Sequence, residues 1–295
     1  MRSTTTLLTF AVTPLLWALP QTALAWGWGE HCKFEAERAA AIESKGVEKV
    51  VIRAGAGDLH VTGRADALRI AARGKACAPK QELLDRAQIT VRREGNVVYI
   101  ETDLPQNAPD AGWNDNEYAT IDLGIALPKD LPVEAVDSSG DSVFEGLKAL
   151  QVNDSSGDLR VSDVAELAEI GDSSGDLEVS DVGRVRLTDS SGDIAIDRVR
   201  GDVEILVDSS GDMRVESIDG AVVVQTDSSG GMYFEEIKGG VTVNSDSSGD
   251  IRAASVGGDF TVNQDSSGVI DYERITGRVH IPADKRRGRH DDVEE

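Results

Sequence analysis

Pairs of aspartates separated by Ser-Ser-Gly recur along the second half of this 295-residue chain. The word Asp-Ser-Ser-Gly, in most cases followed by a second aspartate, starts eight times at intervals of about 17 to 19 residues. Its first and fifth positions hold Asp137 and Asp141, Asp154 and Asp158, Asp172 and Asp176, Asp189 and Asp193, Asp208 and Asp212, Asp227 and Gly231, Asp246 and Asp250, and Asp265 and Val269. Paired carboxylates can serve as general acid and base on a polysaccharide, and carboxylates beside hydroxyls can bind calcium.

The repetition of these pairs argues against an enzyme. An active site needs one constellation that differs from the rest of the chain, and here near-identical pairs recur. A saccharide cleft also needs walls built by long insertions, and intervals of about 17 to 19 residues leave no room for them. We therefore predict no catalytic residue. A polysaccharide-active lyase or hydrolase is the alternative.

Stacked words would bring like charges close together. Carboxylates about 4.8 Å apart repel by about 0.9 kcal/mol in bulk water, and several-fold more near a protein surface. Asx-type hydrogen bonds to the turn amides, screening by salt, or bound divalent cations could each offset this cost. Asp-Ser-Ser-Gly is good turn chemistry without any ion. We predict an Asp/Ser face that binds calcium weakly, and no cofactor on which folding depends.

The residues after each word have the pattern of a short strand. Apolar side chains follow the first aspartate at five, seven and ten places, as in Met213, Val215 and Ile218. This is a strand period of two followed by a corner. A unit of about 17 to 19 residues cannot bury its apolar side alone, so successive units must stack, each pairing with its neighbours. The sequence predicts an all-β fold, a parallel β-solenoid.

The alternation before the word changes phase along the chain. Leu150 and Val152 lie four and two residues before one word. Val203, Ile205 and Val207 lie five, three and one residues before a later word. We expect the word itself to absorb this shift, because an Asp-Ser-Ser-Gly turn suits a corner between two short strands.

Residues 26–117 are less regular and predict an N-terminal cap. Gly57-Asp58 and, more faintly, Gly95-Asn96 copy part of the word, which suggests degenerate first coils. One short helix is expected over Pro79–Ala87, with proline in the first turn. The regular solenoid with its eight words is expected over residues 118–281, after a loop at 107–118. A charged tail fills 282–295.

The two cysteines of the chain, Cys32 and Cys77, both fall in this cap. An even pair in an oxidising compartment predicts one disulfide. A metal site is the rival interpretation, and His31 beside Cys32 keeps it open.

Residues 1–25 have the features of a secretory signal. Arg2 precedes an apolar run from Leu7 to Leu19, and a small-residue cleavage site ends at Ala25. The run is shorter than the roughly 20 residues needed to span a membrane. We predict a mature protein in the periplasm or at the cell surface, without a membrane span.

The charge balance narrows the class of partner. The chain has 53 acidic and 30 basic residues, a formal net charge of −23. Nucleic acids and anionic membrane surfaces are therefore poor partners, whereas cationic partners and metal ions remain open.

The repeats resemble a known family. The pattern Ser-Ser-Gly-Asp followed by alternating apolar residues, preceded by a strand such as Ile121–Pro128, is similar to the adhesin-like β-strand repeat family of bacterial secreted and envelope proteins, a domain of unknown function of the autotransporter adhesin head type. The resemblance implies a single-stranded right-handed parallel β-helix and an envelope location. It carries over no catalytic residue. We therefore predict a non-catalytic, extracytoplasmic binding or scaffold protein with an unidentified surface ligand.

Overall fold

The structure, a computed structural model, describes residues 32–105 and 118–283 of the chain. The predicted signal segment 1–25, nearly all of the predicted loop 107–118 and the charged tail from residue 284 onward lie outside the described residues. Within the described ranges, no helix has the length and apolar composition needed to cross a membrane.

The N-terminal part contains seven strands and one short helix. Their bounds are β1 Phe34–Glu43, β2 Lys49–Arg53, β3 Leu59–Arg64, β4 Arg69–Ala78, α1 Gln81–Arg86, β5 Gln88–Glu94, β6 Val97–Asp103 and β7 Thr120–Pro128.

The regular part contains seventeen short strands. They are β8 Val133–Asp137, β9 Ser142–Leu147, β10 Leu150–Asp154, β11 Leu159–Val164, β12 Leu167–Asp172, β13 Leu177–Ser180, β14 Arg184–Thr188, β15 Ile194–Val199, β16 Val203–Val207, β17 Met213–Ile218, β18 Val222–Val224, β19 Met232–Ile237, β20 Val241–Val243, β21 Ile251–Val256, β22 Phe260–Val262, β23 Ile270–Ile275 and β24 Val279–His280.

The strands form two sheets of twelve, so the expected β-solenoid is confirmed. Sheet A has the spatial order β1, β4, β7, β3, then the odd-numbered strands β9 to β23; sheet B has β5, β6, β2, then the even-numbered strands β8 to β24. Each regular coil contributes one strand to each sheet. All coil-to-coil pairings in the regular part are parallel and pair equivalent positions, as in Met213 with Met232.

The core lies between the two sheets and is aliphatic. Inward positions of both sheets, such as Val203 and Ile205 in sheet B and Val215 in sheet A, are at most 1% exposed. Outward positions on the same strands are half-buried or exposed, as the period of two predicts. Because neighbouring coils bury the same positions, each coil covers the apolar side of the next.

The phase shift is absorbed before the word, so the expectation that the word absorbs it is wrong. Strands β14 and β16 pair in register up to Leu187 and Ile205, and then Thr188 pairs with Val207. Leu206 is the extra residue of a β-bulge. Val207 is consequently 38% exposed rather than inward.

The coils of the cap are not stacked in the order in which they occur along the chain. The coil made by β6 and β7 lies outside the coil made by β2 and β3, and the next coil, β8 with β9, stacks on β2 and β3. Strands β1, β4 and β5 then close this end in antiparallel pairings. Gly95-Asn96 is the hairpin turn between β5 and β6, with Gly95 at φ +63°, and not a degenerate word.

Two local features of the cap were also predicted. The helix spans Gln81–Arg86, shorter than the predicted Pro79–Ala87, and Pro79 lies before its N-cap Lys80 instead of in its first turn.

Cys32 and Cys77 form a disulfide that joins residues 45 apart in the sequence, next to the antiparallel pairing of β1 with β4.

Candidate functional site

Each word forms the corner where the chain leaves sheet B and enters sheet A. Its glycine has φ between +116° and +142° at all eight positions, a region that side chains rarely adopt. A Cβ on Gly211 would lie 1.8 Å from the carbonyl oxygen of Gly192 in the preceding coil. Glycine is therefore required twice, for the backbone angle and for the close approach of neighbouring coils.

The fifth positions form an exposed row along this corner, which we call the outer aspartate row (Asp141, Asp158, Asp176, Asp193, Asp212 and Asp250). In each case one carboxylate oxygen accepts a hydrogen bond from the backbone amide of the equivalent residue in the next coil. The distances are 2.8–3.1 Å. Asp122 and Asp58 continue the row into the cap, with Asp58 accepting from the amide of Asp141. These charge-assisted bonds tie each coil to the next.

The serine hydroxyls make a second set of bonds between coils. The third residue of a word donates to the backbone oxygen of the second residue of the preceding word, as Ser229 does to Ser209 at 3.1 Å. The same bond recurs at Ser174, Ser191, Ser248 and Ser267, at 3.1–3.2 Å. Thus the hydroxyls and one oxygen of each outer carboxylate take part in holding the corner together.

The first positions form a different row, which we call the inner aspartate row. It comprises Asp137, Asp154, Asp172, Asp189, Asp208, Asp227, Asp246 and Asp265, and all are between 0% and 9% exposed. The expectation of one Asp/Ser face carrying both aspartates is therefore wrong. The physical reason is the alternation of side chains along a strand. Val152 and Asp154 are two residues apart on one strand, so they point to the same, buried side.

Burial changes the acidity of the inner row. Loss of hydration raises the pKa of Asp137, Asp172, Asp189 and Asp208 to about 6, and that of Asp154 and Asp227 to about 7. For Asp154 and Asp227, the charges of the two neighbouring aspartates in the row are the next largest cause of the raised pKa. Amides of the following serines oppose the rise only in part.

Asx-type hydrogen bonds, expected at every word, are found for part of the inner row. The amide of Ser156 donates to Asp154 at 3.3 Å, and the amide of Ser248 donates to Asp246 at 3.0 Å. The carboxylates of the outer row bond instead to amides one coil away. Turn chemistry of the kind predicted therefore accounts for only some of the carboxyl groups.

No group of three or more His, Cys, Asp or Glu side chains is placed to hold a metal ion among the residues that the structure describes. The weak calcium binding predicted at the aspartates stays a prediction, and the outer row supplies exposed carboxylates for it. His60, one of four histidines in the chain, lies 3.5 Å from Glu145.

A second corner lies where the chain leaves sheet A, as the apolar pattern after each word predicts, but its left-handed backbone was not foreseen from the sequence. Seven non-glycine residues there have φ between +51° and +58°, among them Ser217 and Arg198. All lie nine places after the first aspartate of a word, and none is apolar, which is the signal that could have revealed them. Six of them, from Asp181 to Arg274, line a surface groove of mixed charge that also includes Arg200 and Lys238.

The outer faces of both sheets carry rows of polar side chains. On sheet A, Arg160 pairs with Glu178 of the next coil at 2.7 Å. On sheet B, Gln225, Asn244 and Asn263 form a ladder with bonds of 2.6 and 2.8 Å. In-register stacking therefore presents chemically repetitive stripes on each face.

Comparison with known proteins identifies the repeat. The family model described as Toastrack DUF4097 matches residues 93–273. This confirms the resemblance expected from the Ser-Ser-Gly-Asp repeats to an adhesin-like domain of unknown function. No curated protein matches the chain.

The chain is also similar to several solved structures. A candidate cell adhesion protein from Clostridium sporogenes ATCC 15579 is 18% identical, with 68% of this chain and 99% of that chain covered and a TM-score of 0.37. A candidate adhesin from Parabacteroides distasonis ATCC 8503 is 12% identical, covering 83% and 94%, with a TM-score of 0.36. A candidate lipid binding protein from the same organism is 13% identical, covering 83% and 93%, with a TM-score of 0.35.

Proposed function

The chain belongs to the Toastrack DUF4097 family, and on this premise we propose that it is a non-catalytic, adhesin-like binding or scaffold protein of the cell envelope. The observation that carries the proposal is the uninterrupted stacking of coils from β8 to β24, each presenting the same rows of side chains. A repetitive surface suits a ligand that is itself repetitive, or a role as a spacer.

A polysaccharide lyase or hydrolase is the less favoured alternative. The acidic residues of the words are equivalent from coil to coil, and the words follow one another closely, without an insertion that could wall a cleft. Half of each pair is buried in the inner row, where it cannot reach a polysaccharide. We expect the purified protein to release no unsaturated or reducing ends from polygalacturonate.

The outer aspartate row is the surface we assign to cation-assisted binding. Its side chains are exposed and carry one negative charge per coil from Asp141 to Asp212 and again at Asp250, which favours cationic groups or calcium over nucleic acid. Only one oxygen of each carboxylate is bonded to an amide. The other oxygen can bind a cation weakly, with water completing the oxygen ligands that calcium requires.

Calorimetric titration with millimolar calcium tests this assignment. The test variant neutralises three neighbouring outer aspartates, by Asp176→Asn, Asp193→Asn and Asp212→Asn. The control variant removes the same number of charges from exposed acidic residues of the cap, by Asp66→Asn, Glu82→Gln and Asp130→Asn. We expect weak binding that the test variant loses and the control keeps. Equal binding by both variants, or no heat with the unmodified protein, contradicts the assignment.

Location outside the cytoplasm is tested separately. Expression of the full chain in a bacterial host, followed by fractionation and N-terminal sequencing, should give a periplasmic or surface protein that starts close to Trp26. Retention of Met1 in a cytoplasmic fraction contradicts the envelope role without affecting the calcium assignment.

A further inference from the structure

The inner aspartate row places eight carboxyl groups in one column inside the solenoid. Strand register sets Asp154 beside Asp137 and Asp172, and isolated bridges set Asp227 beside Asp208 and Asp246. Neighbours in parallel strands are about 4.8 Å apart. Solvent reaches at most 9% of any residue in the column, so water screens their mutual repulsion poorly.

Many oxygens of this column lack a hydrogen bond of regular geometry. Both carboxyl oxygens of Asp172, Asp189 and Asp208 are buried without such a partner, as is one oxygen of Asp137, Asp154 and Asp227. Asp137 receives its one side-chain bond from the hydroxyl of Ser142, at 3.0 Å. A buried, ionised carboxylate whose lone pairs are only partly satisfied is costly in a protein interior.

The charged groups that act on the column are all acidic. For the six members from Asp137 to Asp227, these groups are their neighbours in the column and the outer-row or cap residues Asp58, Asp158 and Asp193. No lysine, arginine or histidine of the described residues is among them, and none forms an ion pair with these six. Among the described residues, these six aspartates therefore have no side-chain cation to neutralise them.

A neutral carboxylic acid would relieve both the charge repulsion and the incomplete hydrogen bonding, because it removes a charge and supplies an O–H donor. We propose that the inner aspartate row is a proton-binding column, in which neutral carboxyl groups donate hydrogen bonds to carboxyl oxygens of adjacent coils and make the solenoid more stable in mildly acidic surroundings. A protonated aspartic acid has nearly the shape of asparagine, with one O–H donor where the amide has two N–H donors, so the column in this state resembles a ladder of stacked amides.

The sign of the pH dependence follows from burial. The pKa of the six inner aspartates from Asp137 to Asp227 is raised to about 6 or 7, above their ordinary value of 3.8. Between pH 4 and pH 7 the folded protein then holds more protons than the unfolded chain, so stability falls as the pH rises through this window. Above pH 7, the stability contributed by the protonated carboxyl groups is fully lost.

Thermal melting from pH 5 to pH 8 tests the proposal with a matched pair of variants. Asp208→Asn replaces an inner carboxyl by a neutral amide, and Asp212→Asn makes the same change four residues away in the exposed outer row. We expect the melting temperature of the unmodified protein to fall by about 5 °C or more across this range. Asp208→Asn should melt higher than the unmodified protein at pH 8, with a shallower pH dependence, whereas Asp212→Asn should keep the original slope.

Three results overturn the proposal. The first is a melting temperature that is flat or rises between pH 5 and pH 8. The second is an Asp208→Asn variant destabilised equally at every pH. The third is a gain in stability with calcium at pH 8 that Asp208→Asn abolishes, which would make the column a cation site instead.

Proton release on unfolding provides a test that needs no inner-row variant to fold. Unfolding the unmodified protein at pH 6 should release at least one proton per chain, because aspartates of ordinary pKa ionise in the unfolded state. His60→Gln, which removes the contact of His60 with Glu145, controls for histidine and should leave most of the release intact. No release, or proton uptake, contradicts the proposal.

Discussion

Adjacent glycines at one corner allow the stacking of the words to be tested by a single methyl group. Gly230 has φ +131°, and a Cβ there would lie 1.7 Å from the carbonyl oxygen of Gly211. Gly231 stands in the fifth position, and the nearest atom to a Cβ there would be a carboxylate oxygen of Asp212, at 3.4 Å. The two substitutions Gly230→Ala and Gly231→Ala therefore add the same methyl group, in one case where it clashes with a backbone oxygen and in the other where there is room for it.

The cost of Gly230→Ala follows from what must move. Alanine in this backbone region is strained by about 1–3 kcal/mol. Relieving the contact separates two coils and weakens three bonds between them, each worth about 0.5–1.5 kcal/mol. These are Gly211 amide to Ser229 oxygen at 3.3 Å, Gly231 amide to Asp212 carboxylate at 2.8 Å, and Ser229 hydroxyl to Ser209 oxygen at 3.1 Å. Strain and weakened bonds together should lower the free energy of unfolding by roughly 3 to roughly 7 kcal/mol.

Urea unfolding followed by circular dichroism measures both variants. With a slope of about 3 kcal/mol/M, Gly230→Ala should lower the midpoint by roughly 1–2 M. Gly231→Ala should leave it unchanged or raise it slightly, because alanine restricts the unfolded chain at a position that accepts it. Equal midpoints for the two variants would refute the stacking of backbones at this corner.

Further predictions concern the rest of the coil. Gly211→Val should lower the melting temperature far more than Ser210→Ala, since the valine Cβ would lie 1.8 Å from a backbone oxygen. Phe234→Ala, at a fully buried position, should cost about 3–5 kcal/mol in urea unfolding. Ser217→Gly should raise stability by about 0.5 kcal/mol, because φ +56° strains serine and not glycine. Cys77→Ser should lower stability by roughly 2–4 kcal/mol under oxidising conditions and have no effect in reductant.

The solenoid could be predicted from the sequence because each coil repeats the same short sequence signals. The regular word interval, the glycine in every word and the apolar residues such as Val215 after it each specify a strand or a corner. Burial of the inner row was also readable, since Leu150, Val152 and Asp154 continue one alternation of period two. The word was instead interpreted from its turn chemistry, as a corner that carries an Asp/Ser face.

The cap could not be predicted in the same way. Its strand order depends on antiparallel pairings between distant segments, such as Cys77 with Thr120, and no short motif encodes them. The bulge at Leu206 is likewise set by the strand beside it, because an extra residue can be accommodated at several positions with the same hydrophobic pattern. The left-handed backbone of the predicted second corner was missed because polar residues such as Ser217 take the place of glycine there.

Burial of the first aspartates underlies both the two-row geometry of the corner and the proton-binding column. Carbon-13 NMR of the protein labelled at aspartate carboxyl groups tests it most directly, with Asp208→Asn used to assign one signal. Several carboxyl signals, including that of Asp208, should still change between pH 5 and pH 8, with midpoints of about 6 to 7. Completion of every aspartate titration below pH 5 would contradict burial of the row.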